Sequence, residues 1–332
     1  MHRIQFYFIL IAAAGISCIG LIFVSNAESQ SAPADPNRKT VSQAASPQEA
    51  IDPNAPATEP VKEDNGDAES LIDEEEDNSH IPEFFDACDQ IFSTYVNKNG
   101  MVRYADLRRT RADLLPVLRM MKDISPLHLM ALSQDEKTAF WINTYNICVL
   151  QLIVENYPIQ PKWYLIQYPD NSIMQISNPW TKNYFWVQGL QYNLKEIEQE
   201  ILLDRTRDPR ICFALSNASL GGGRLRPKAY RPATLNEQLD DQVRQYLASP
   251  FGCQIDRPGK VVHLSVLFQT KRKTFLESEY AAIKKFREYP DLQRTWLNFL
   301  VKYLPQEDAE FVANNPCTFK MITYDWHLDE GN

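Results

Sequence analysis

The chain has 332 residues, of which 44% are hydrophobic and 11% aromatic, and its formal net charge is −9. This composition excludes a wholly disordered chain, and the length allows one or two domains. The acidic balance gives no sign of the basic surface that nucleic-acid-binding proteins carry, so no nucleic-acid partner is expected.

The first 27 residues have the pattern of a targeting or anchoring element. His2 and Arg3 precede a nearly uncharged apolar run over residues 4–24, and small residues follow it. The apolar core of a cleaved signal peptide is about 7–15 residues long, whereas a bilayer-spanning helix needs about 20. Both a signal peptide and a signal-anchor helix over residues 1–27 therefore stay open. We expect an exported protein, either anchored facing the periplasm or cell exterior, or secreted if the segment is cleaved.

Residues 28–80 differ in composition from the rest of the chain. They are rich in Pro, Ala, Ser and acidic residues, and they end in an acidic run at residues 73–77. No apolar periodicity is present that could bury a core, so this segment is predicted to be a disordered, self-repelling linker. Much of the net negative charge lies in it, and the acidic isoelectric point therefore says little about the predicted globular domain, residues 81–332.

The predicted globular region begins with amphipathic helices. Residues 81–96 and 111–122 carry apolar side chains at helical spacing. Ser133 followed by Glu136 is a capping-box pattern, which predicts a helix over residues 133–156. Since this segment is apolar on nearly all sides, we expect it to be the buried central helix of the domain.

Two amides, Asn143 and Asn146, lie three residues apart on one face of that helix. An unpaired buried amide costs about 1–3 kcal/mol, so both side chains need hydrogen-bond partners. They could hold the backbone of neighbouring loops, which is the usual role of a buried amide, or contact a ligand.

Short strands and helices alternate in the remainder of the chain. A hairpin is predicted at residues 184–194, followed by a helix at 194–203 whose glutamates face solvent. The apolar run 211–215 predicts a buried strand. Further elements are expected, in chain order, as a helix at 235–247, a strand at 261–268, helices at 273–289 and 292–303, and a strand at 319–324. Helices outnumber the strands dispersed among them, which favours a single mixed α+β domain.

Three of the chain's 11 glycines are consecutive, at Gly221, Gly222 and Gly223, and cations follow them closely. The nearest of these cations are Arg224 and Arg226. Bare backbone N–H groups beside cations are suited to hold a carboxylate or a phosphate. A tight surface turn followed by solvated basic residues gives the same pattern. Neither the GxxxxGK[ST] nor the GxGxxG phosphate-binding motif fits this segment.

Cysteine and histidine spacing disfavours metal and serine chemistry. Five of the six cysteines lie in the predicted globular region, widely spaced and without a CxxC pair, and the histidines are scattered. A metal site is therefore not expected, and we predict no cofactor. An exported chain could form one or two disulfides among these cysteines. A serine nucleophile at Ser216 or Ser219 is disfavoured because neither lies in a GxSxG motif.

Six short motifs occur in the order seen in the DUF547 family. They are FWINTYN (140–146), NPW (178–180), LKEIE (194–198), DPRI (208–211), FAL (213–215) and YDW (324–326). The chain thus resembles this family over residues 104–328, essentially the whole predicted globular region. The function of the family is not established, so the resemblance implies a fold and a set of positions rather than an activity.

The chain departs from the family at several of those positions. Members typically carry a His after the Arg-Ile, a Cys a few residues on and a further Cys-Pro, where this sequence has Cys212, Asn217 and the pair Gly222-Gly223. The frequent His after Glu-Ile-Glu is replaced by Gln199. A Cys/His set suits a thiol nucleophile, because an imidazole can lower the thiol pKa and carry the proton. Its loss implies that such an activity has disappeared from this chain or moved within it.

Two functional hypotheses follow. The first is a non-catalytic binding module that uses the loop 221–226 to hold an anionic small molecule or a cell-envelope protein. Its predicted ligand-binding residues are Asn143, Asn146, Ser219, Gly221, Gly222, Gly223, Arg224 and Arg226. Besides the ligand, the expected partner is a membrane, contacted through residues 4–24.

The alternative is a thiol-dependent hydrolase. Cys212 would be the nucleophile, His263 or His327 the base, and Asn217 or Asp325 the group that orients the base. A contact between the thiol and an imidazole in an open cleft would favour this hypothesis. A thiol packed in the core, where free cysteines most often lie, would favour the binding module.

Overall fold

The computed structural model describes residues 81–331. The predicted targeting segment, residues 1–27, and the predicted linker, residues 28–80, lie outside the described residues. One compact unit contains everything that is described. Helices and short strands are mixed along it, which confirms the α+β prediction.

The described chain holds thirteen α-helices and five strands. The helices are α1 (Ile81–Tyr95), α2 (Tyr104–Arg109), α3 (Leu115–Asp123), α4 (Pro126–Ala131), α5 (Gln134–Asn156), α6 (Asp204–Thr206), α7 (Ile211–Ala214), α8 (Leu235–Leu247), α9 (Val266–Thr270), α10 (Arg272–Glu277), α11 (Glu279–Ala282), α12 (Asp291–Tyr303) and α13 (Gln306–Asn314). The strands are β1 (Tyr184–Val187), β2 (Leu190–Asn193), β3 (Cys253–Asp256), β4 (Val261–Ser265) and β5 (Thr318–Ile322). A π-helix spans Glu196–Leu203, and 3₁₀ turns span Arg111–Leu114, Ile173–Gln175 and Pro232–Thr234.

Helix α5 is the centre of the domain, as its apolar sequence predicts. Ser133 and Glu136 form the expected capping box: the Glu136 N–H donates to Ser133 Oγ at 3.3 Å and the Ser133 N–H donates to Glu136 Oε2 at 2.8 Å. Its side chains are buried on nearly every face between residues 138 and 154. Within residues 81–331, no helix combines the length and the apolar character needed to cross a bilayer.

The strands form two small sheets. Strands β1 and β2 pair antiparallel as the predicted hairpin, with Val187 opposite Leu190. In the second sheet β4 lies in the middle, antiparallel to β3 and parallel to β5. Strand β4 ends at Ser265, where helix α9 begins, because the Ser265 hydroxyl accepts a hydrogen bond from the Leu267 N–H and caps the helix.

The strand predicted at residues 211–215 is wrong. Residues Ile211–Ala214 form the single-turn helix α7, and Leu215 alone is extended. The turn begins where the Asp208 carboxylate accepts the Arg210 N–H at 2.9 Å, and the Leu215 N–H closes it on the Ile211 carbonyl at 3.2 Å. An apolar run of this length suits a buried helix as well as a buried strand, and no neighbouring strand pairs with it in the described chain.

Two predicted helices also differ from the structure. The prediction of one helix over residues 273–289 is wrong, because the structure has α10 and α11 up to Ala282 and no helix over residues 283–289. The two helices separate at Ser278, which has an extended backbone and donates its hydroxyl to the Phe275 carbonyl. The helix predicted at 194–203 is largely a π-helix, whose wider turn changes which side chains share a face. Glu198, predicted to face solvent, is instead largely buried and pairs with Lys271.

Asn143 and Asn146 fasten two loops to α5. The Asn143 amide donates to the Tyr230 carbonyl at 2.8 Å and accepts the Tyr230 N–H at 2.9 Å. The Asn146 amide donates to the Ala214 carbonyl at 3.1 Å and accepts the Ser216 N–H at 2.9 Å. Both side chains are buried, and each bridges a donor and an acceptor that would otherwise be unpaired.

The C-terminal segment, residues 325–331, returns to the middle of the domain. The N–H groups of Leu220 and Gly221 donate to the carbonyls of His327 and Asp325, each at 2.9 Å. Further along, the Gly331 N–H donates to the Val102 carbonyl, also at 2.9 Å. The segment therefore joins the glycine loop to the start of the domain.

Candidate functional site

A pocket of about 540 Å³ opens between α5, the π-helix, α7, α9 and the beginning of the C-terminal segment. We refer to it as the Cys212 pocket. Its lining residues are Tyr145, Trp180, Lys195, Glu198, Cys212, Leu215, Asn217, Gly223, Val266, Leu267, Thr270, Lys271, Tyr324 and Trp326. The volume is in the range of small-molecule sites.

Aromatic rings form one wall of this pocket. The rings of Tyr324 and Trp326 lie 4.3 Å apart between centroids, and Trp180 meets Trp326 edge to face at 6.2 Å. Tyr168, from the loop before the hairpin, meets the same indole at 6.0 Å. Mutually packed rings are held in place by their neighbours and present a preformed apolar surface.

A Lys–Glu ion pair lies in the same pocket. The Lys271 ammonium contacts the Glu198 carboxylate, with side chains only 22% and 15% exposed. Burial acts to lower the pKa of Lys271, but the attraction of Glu198 more than offsets it, and the lysine pKa is raised. Lys195, exposed at the rim, adds a second positive charge. Two ammonium groups against one carboxylate give the pocket a net positive charge.

Cys212 is a buried thiol at this pocket, with 4% of the residue exposed. Burial raises the pKa of Cys212 to about 12, although the Lys271 ammonium acts in the opposite direction. A thiol with such a pKa is almost fully protonated near neutral pH and is a poor nucleophile.

Neither candidate base reaches the Cys212 thiol. His263 lies on β4, opposite Gln254 on one side and Lys320 on the other. The side chain of His327 is 60% exposed, and its Nδ1 lies 2.6 Å from the Asp325 carboxylate. Neither histidine lines the pocket, and across residues 81–331 no hydrogen bond joins Cys212 to an imidazole. The arrangement expected for a thiol hydrolase is not assembled.

Asn217, Ser219 and Tyr324 form a triangle of hydrogen bonds beside the thiol. The Asn217 amide donates to Tyr324 Oη at 2.6 Å, and the Ser219 hydroxyl donates to Asn217 Oδ1 at 2.6 Å. Ser219 Oγ and Tyr324 Oη lie 2.9 Å apart. Burial raises the pKa of Tyr324 to about 12, which keeps the phenol neutral. This triangle fixes the ring of Tyr324 at the pocket wall.

The three glycines support that wall from below. All three are buried, and the N–H groups of Gly221 and Gly222 are taken by the carbonyls of Asp325 and Ser219. A Cβ at Gly222 would collide with Asn217 Oδ1, and one at Gly223 would lie 2.5 Å from the Phe213 carbonyl oxygen. Close packing, rather than an open array of N–H groups, therefore accounts for these glycines.

The cations that follow the glycines belong to a different cleft. Arg224 and Arg226 line a space of about 420 Å³ together with Lys98. The Arg224 guanidinium donates to the Asn99 carbonyl at 2.7 Å, whereas Arg226 is paired with the Asp241 carboxylate at 2.6 Å. No carboxylate pairs with Arg224 in the part of the chain that is described.

The cysteines and histidines form no metal or disulfide site in the described region. Cys88, Cys148, Cys212, Cys253 and Cys317 are all free thiols. No three metal-ligating side chains cluster among residues 81–331.

Asp329 is a buried carboxyl beneath the glycine loop. Tyr104 Oη donates to its Oδ1 at 2.8 Å, and Ser216 Oγ lies 3.4 Å from Oδ2. Burial raises the pKa of Asp329 to about 6, despite the lowering effect of these hydrogen bonds and of the positive charge of Arg224. Since the native state binds this proton more tightly than the unfolded state, Asp329 destabilises the fold above pH 6, and the penalty is relieved as the pH falls toward 4.

Replacing Asp329 by Asn is expected to remove this pH dependence. The free energy of unfolding of the wild type, minus that of Asp329→Asn, should rise by about 2 kcal/mol between pH 7 and pH 4, because each unit of pKa shift corresponds to about 1.4 kcal/mol and a small part of the penalty remains at pH 4. Chemical denaturation of both proteins across this range measures the difference. A difference that stays constant with pH would show that the native pKa of Asp329 is ordinary.

The sequence motifs contain some of the pocket residues without revealing their role. Trp180 ends the NPW motif, and Tyr324 and Trp326 are the first and last residues of the YDW motif. The sequence pattern predicts an exposed position for Glu198, and Lys271 lies in a basic run that does not indicate a site. These residues are far apart in the sequence, and it is the fold that places them around one pocket with Cys212.

Comparison with known proteins gives one match. Residues 129–247 match the family model DUF547, described as a protein of unknown function, and this region contributes most of the pocket lining. No curated protein matches the chain, and no solved structure matches it. This match supports a DUF547 family assignment for residues 129–247.

Proposed function

We propose that this domain is a non-catalytic binding module that takes a small amphiphile, with an apolar body and an anionic end, in the Cys212 pocket. The observation that carries the proposal is the packed wall of Tyr324, Trp326 and Trp180 facing a cavity of about 540 Å³. Pockets that bind small molecules combine such apolar walls with a few placed polar groups.

The charges of the pocket support an anionic end. Lys271 is paired with Glu198, and Lys195 at the rim is left as the uncompensated charge of the three. A carboxylate or sulfonate entering the pocket would approach Lys195 from solvent, and its apolar body would lie against the indoles. Binding of a planar apolar group to preformed aromatic surface loses little side-chain entropy.

The protonation state of Cys212 supports binding over catalysis. Its pKa of about 12 leaves little thiolate, and the polar groups around it are Lys271, Glu198 and Asn217 rather than an imidazole. The thiol-dependent hydrolase stays a prediction from the sequence, without a geometric observation in its favour.

The loop 221–226 enters this proposal as support for the pocket wall. Its glycines pack beneath Tyr324, and Gly223 reaches the lining. The cleft lined by Arg224, Arg226 and Lys98 is a second candidate site, for an anionic partner such as an exposed acidic segment of a cell-envelope protein. The specific observation in its favour is that Arg224 and Lys98 line it together.

We also propose that the chain is exported and tethered to a membrane through residues 4–24, with residues 28–80 as a spacer. The support is the apolar run itself and the acidic, Pro-rich segment that follows it. A binding domain on such a spacer would sample the space next to the membrane.

The probe 1-anilinonaphthalene-8-sulfonate tests the pocket, since it joins a flat aromatic body to a sulfonate. We expect saturable binding to the full chain, seen as energy transfer from tryptophan to the probe. Thr270→Phe should weaken this binding at least about tenfold, because Thr270 is an exposed lining residue and a larger side chain there obstructs the pocket.

Gln269→Phe is the matched control, because Gln269 is the adjacent residue of α9 and does not line the pocket. It should leave the dissociation constant unchanged. Equal affinity of the two variants and the wild type would place the probe elsewhere and contradict the proposed site.

A further inference from the structure

The loop between α5 and the hairpin displays large apolar side chains to solvent. Trp163 is 87% exposed, Tyr164 56% and Ile166 86%. We refer to residues 162–166 as the aromatic loop. Scattered single apolar residues on a surface are ordinary, but three exposed ones within residues 163–166 form a patch of the kind that is common at interaction sites.

Hydrogen bonds hold the backbone of the aromatic loop in a defined conformation. At its base the side chain of Gln175 is 2% exposed, and its Nε2 donates to the carbonyls of Leu165 and Pro169, each at 3.2 Å. Its Oε1 accepts the Lys162 N–H at 2.9 Å. A buried amide that joins both ends of a loop fixes the loop backbone. Trp163 is therefore exposed on a segment whose backbone is held in place.

The loop is also continuous with the Cys212 pocket. Tyr168 lies two residues beyond Ile166, and its ring packs edge to face on Trp326, which lines that pocket. Whatever covers the aromatic loop therefore lies beside the rim of the pocket.

Side-chain chemistry identifies the surface that the loop fits. Indole and phenol rings combine an apolar body with a polar N–H or O–H, which is why Trp and Tyr concentrate at the headgroup level of bilayers. An aliphatic side chain such as Ile166 suits the acyl-chain boundary, and Lys162 can reach a lipid phosphate. The apolar run at residues 4–24, predicted to lie in a bilayer, would keep the domain near that surface.

We propose that the aromatic loop docks on the interface of a phospholipid bilayer, with Trp163 and Ile166 inserted at the headgroup boundary. The rim of the Cys212 pocket then faces the membrane surface. Docking does not require the pocket to be occupied. Membrane docking can therefore fail while ligand binding holds, and ligand binding can fail while membrane docking holds.

The test uses the full chain reconstituted in phosphatidylcholine vesicles. Emission of the wild type minus emission of Trp163→Phe isolates the fluorescence of Trp163. We expect this difference signal to be quenched when the lipids carry brominated acyl chains, and to be shielded from aqueous iodide. Because Trp163 is so exposed, Trp163→Phe should change stability by no more than about 0.5 kcal/mol.

Trp186 supplies the matched control, since it is half exposed on β1 and belongs to a different surface segment. The difference signal from Trp186→Phe should be quenched by iodide and not by brominated lipid. If Trp163 is quenched by iodide and not by brominated lipid, the loop is free in water and the proposal is overturned. Protection from both quenchers would also overturn it, and would point to a protein surface over the loop.

Discussion

In the native protein, Cys212 is expected to react with iodoacetamide about 1000-fold more slowly than in the unfolded chain. The thiolate is the reacting species, and burial raises the thiol pKa from 9.0 to about 12, so the thiolate fraction at pH 8 falls by about three orders of magnitude. Limited access to a side chain that is only slightly exposed slows the reaction further. Pulse alkylation followed by peptide mass spectrometry measures the rate at this single cysteine.

The alkylation rates of the other cysteines serve as internal references for the rate of Cys212 in the same experiment. In concentrated guanidinium chloride all of them should react at similar rates, which controls for the peptide chemistry. A native rate at Cys212 within tenfold of the unfolded rate would mean an accessible thiolate. That outcome would favour the thiol-dependent hydrolase over the binding module.

Asn146→Leu is expected to lower the free energy of unfolding by about 2–6 kcal/mol. The Asn146 amide pairs with the Ala214 carbonyl and the Ser216 N–H, and leucine would leave both backbone groups buried and unpaired. Each unsatisfied buried group costs about 1–3 kcal/mol. Chemical denaturation followed by circular dichroism measures the change.

Asn156→Leu is the matched control, because it makes the same substitution on the same helix at an exposed end. There the amide donates only to the Leu152 carbonyl, and water can replace that bond. We expect a change of less than about 1 kcal/mol. If Asn146→Leu is no more costly than Asn156→Leu, the amide does not hold the segment leading to Asn217.

The sequence predicted the ends of an element correctly where residues close to each end determine them. Ser133 and Glu136 satisfy each other's backbone N–H groups without help from the rest of the chain, so the start of α5 could be predicted. The end of α5 and the hairpin at residues 184–193 follow for the same reason. The structural role of Asn143 and Asn146 could be anticipated too, because a buried amide needs partners wherever it lies.

Sequence signals failed where tertiary contacts decide the conformation. In the described chain the apolar run 211–215 has no strand to pair with. Asp208 accepts the Arg210 N–H and the Pro209 carbonyl accepts the Cys212 N–H, and these bonds give the run a helical turn instead. The π-helix rotates Glu198 toward Lys271, which lies 73 residues further along the chain. The periodicity of the sequence around Glu198 does not indicate a contact with so distant a residue. The charged part of the pocket could therefore not be predicted from the sequence.

The contacts of the C-terminal segment affect the order in which the domain folds. Tyr324 and Trp326 complete the wall of the Cys212 pocket, and the residues after them join the glycine loop to Val102. The bonds between Tyr104 and Asp329 and between Val102 and Gly331 join residues that lie more than 200 positions apart, so the entropy of closing a long loop is lost before these bonds can stabilise the fold. The hydrogen bonds of α5 are local and need no such closure, so the C-terminal segment is expected to dock after α5 has formed.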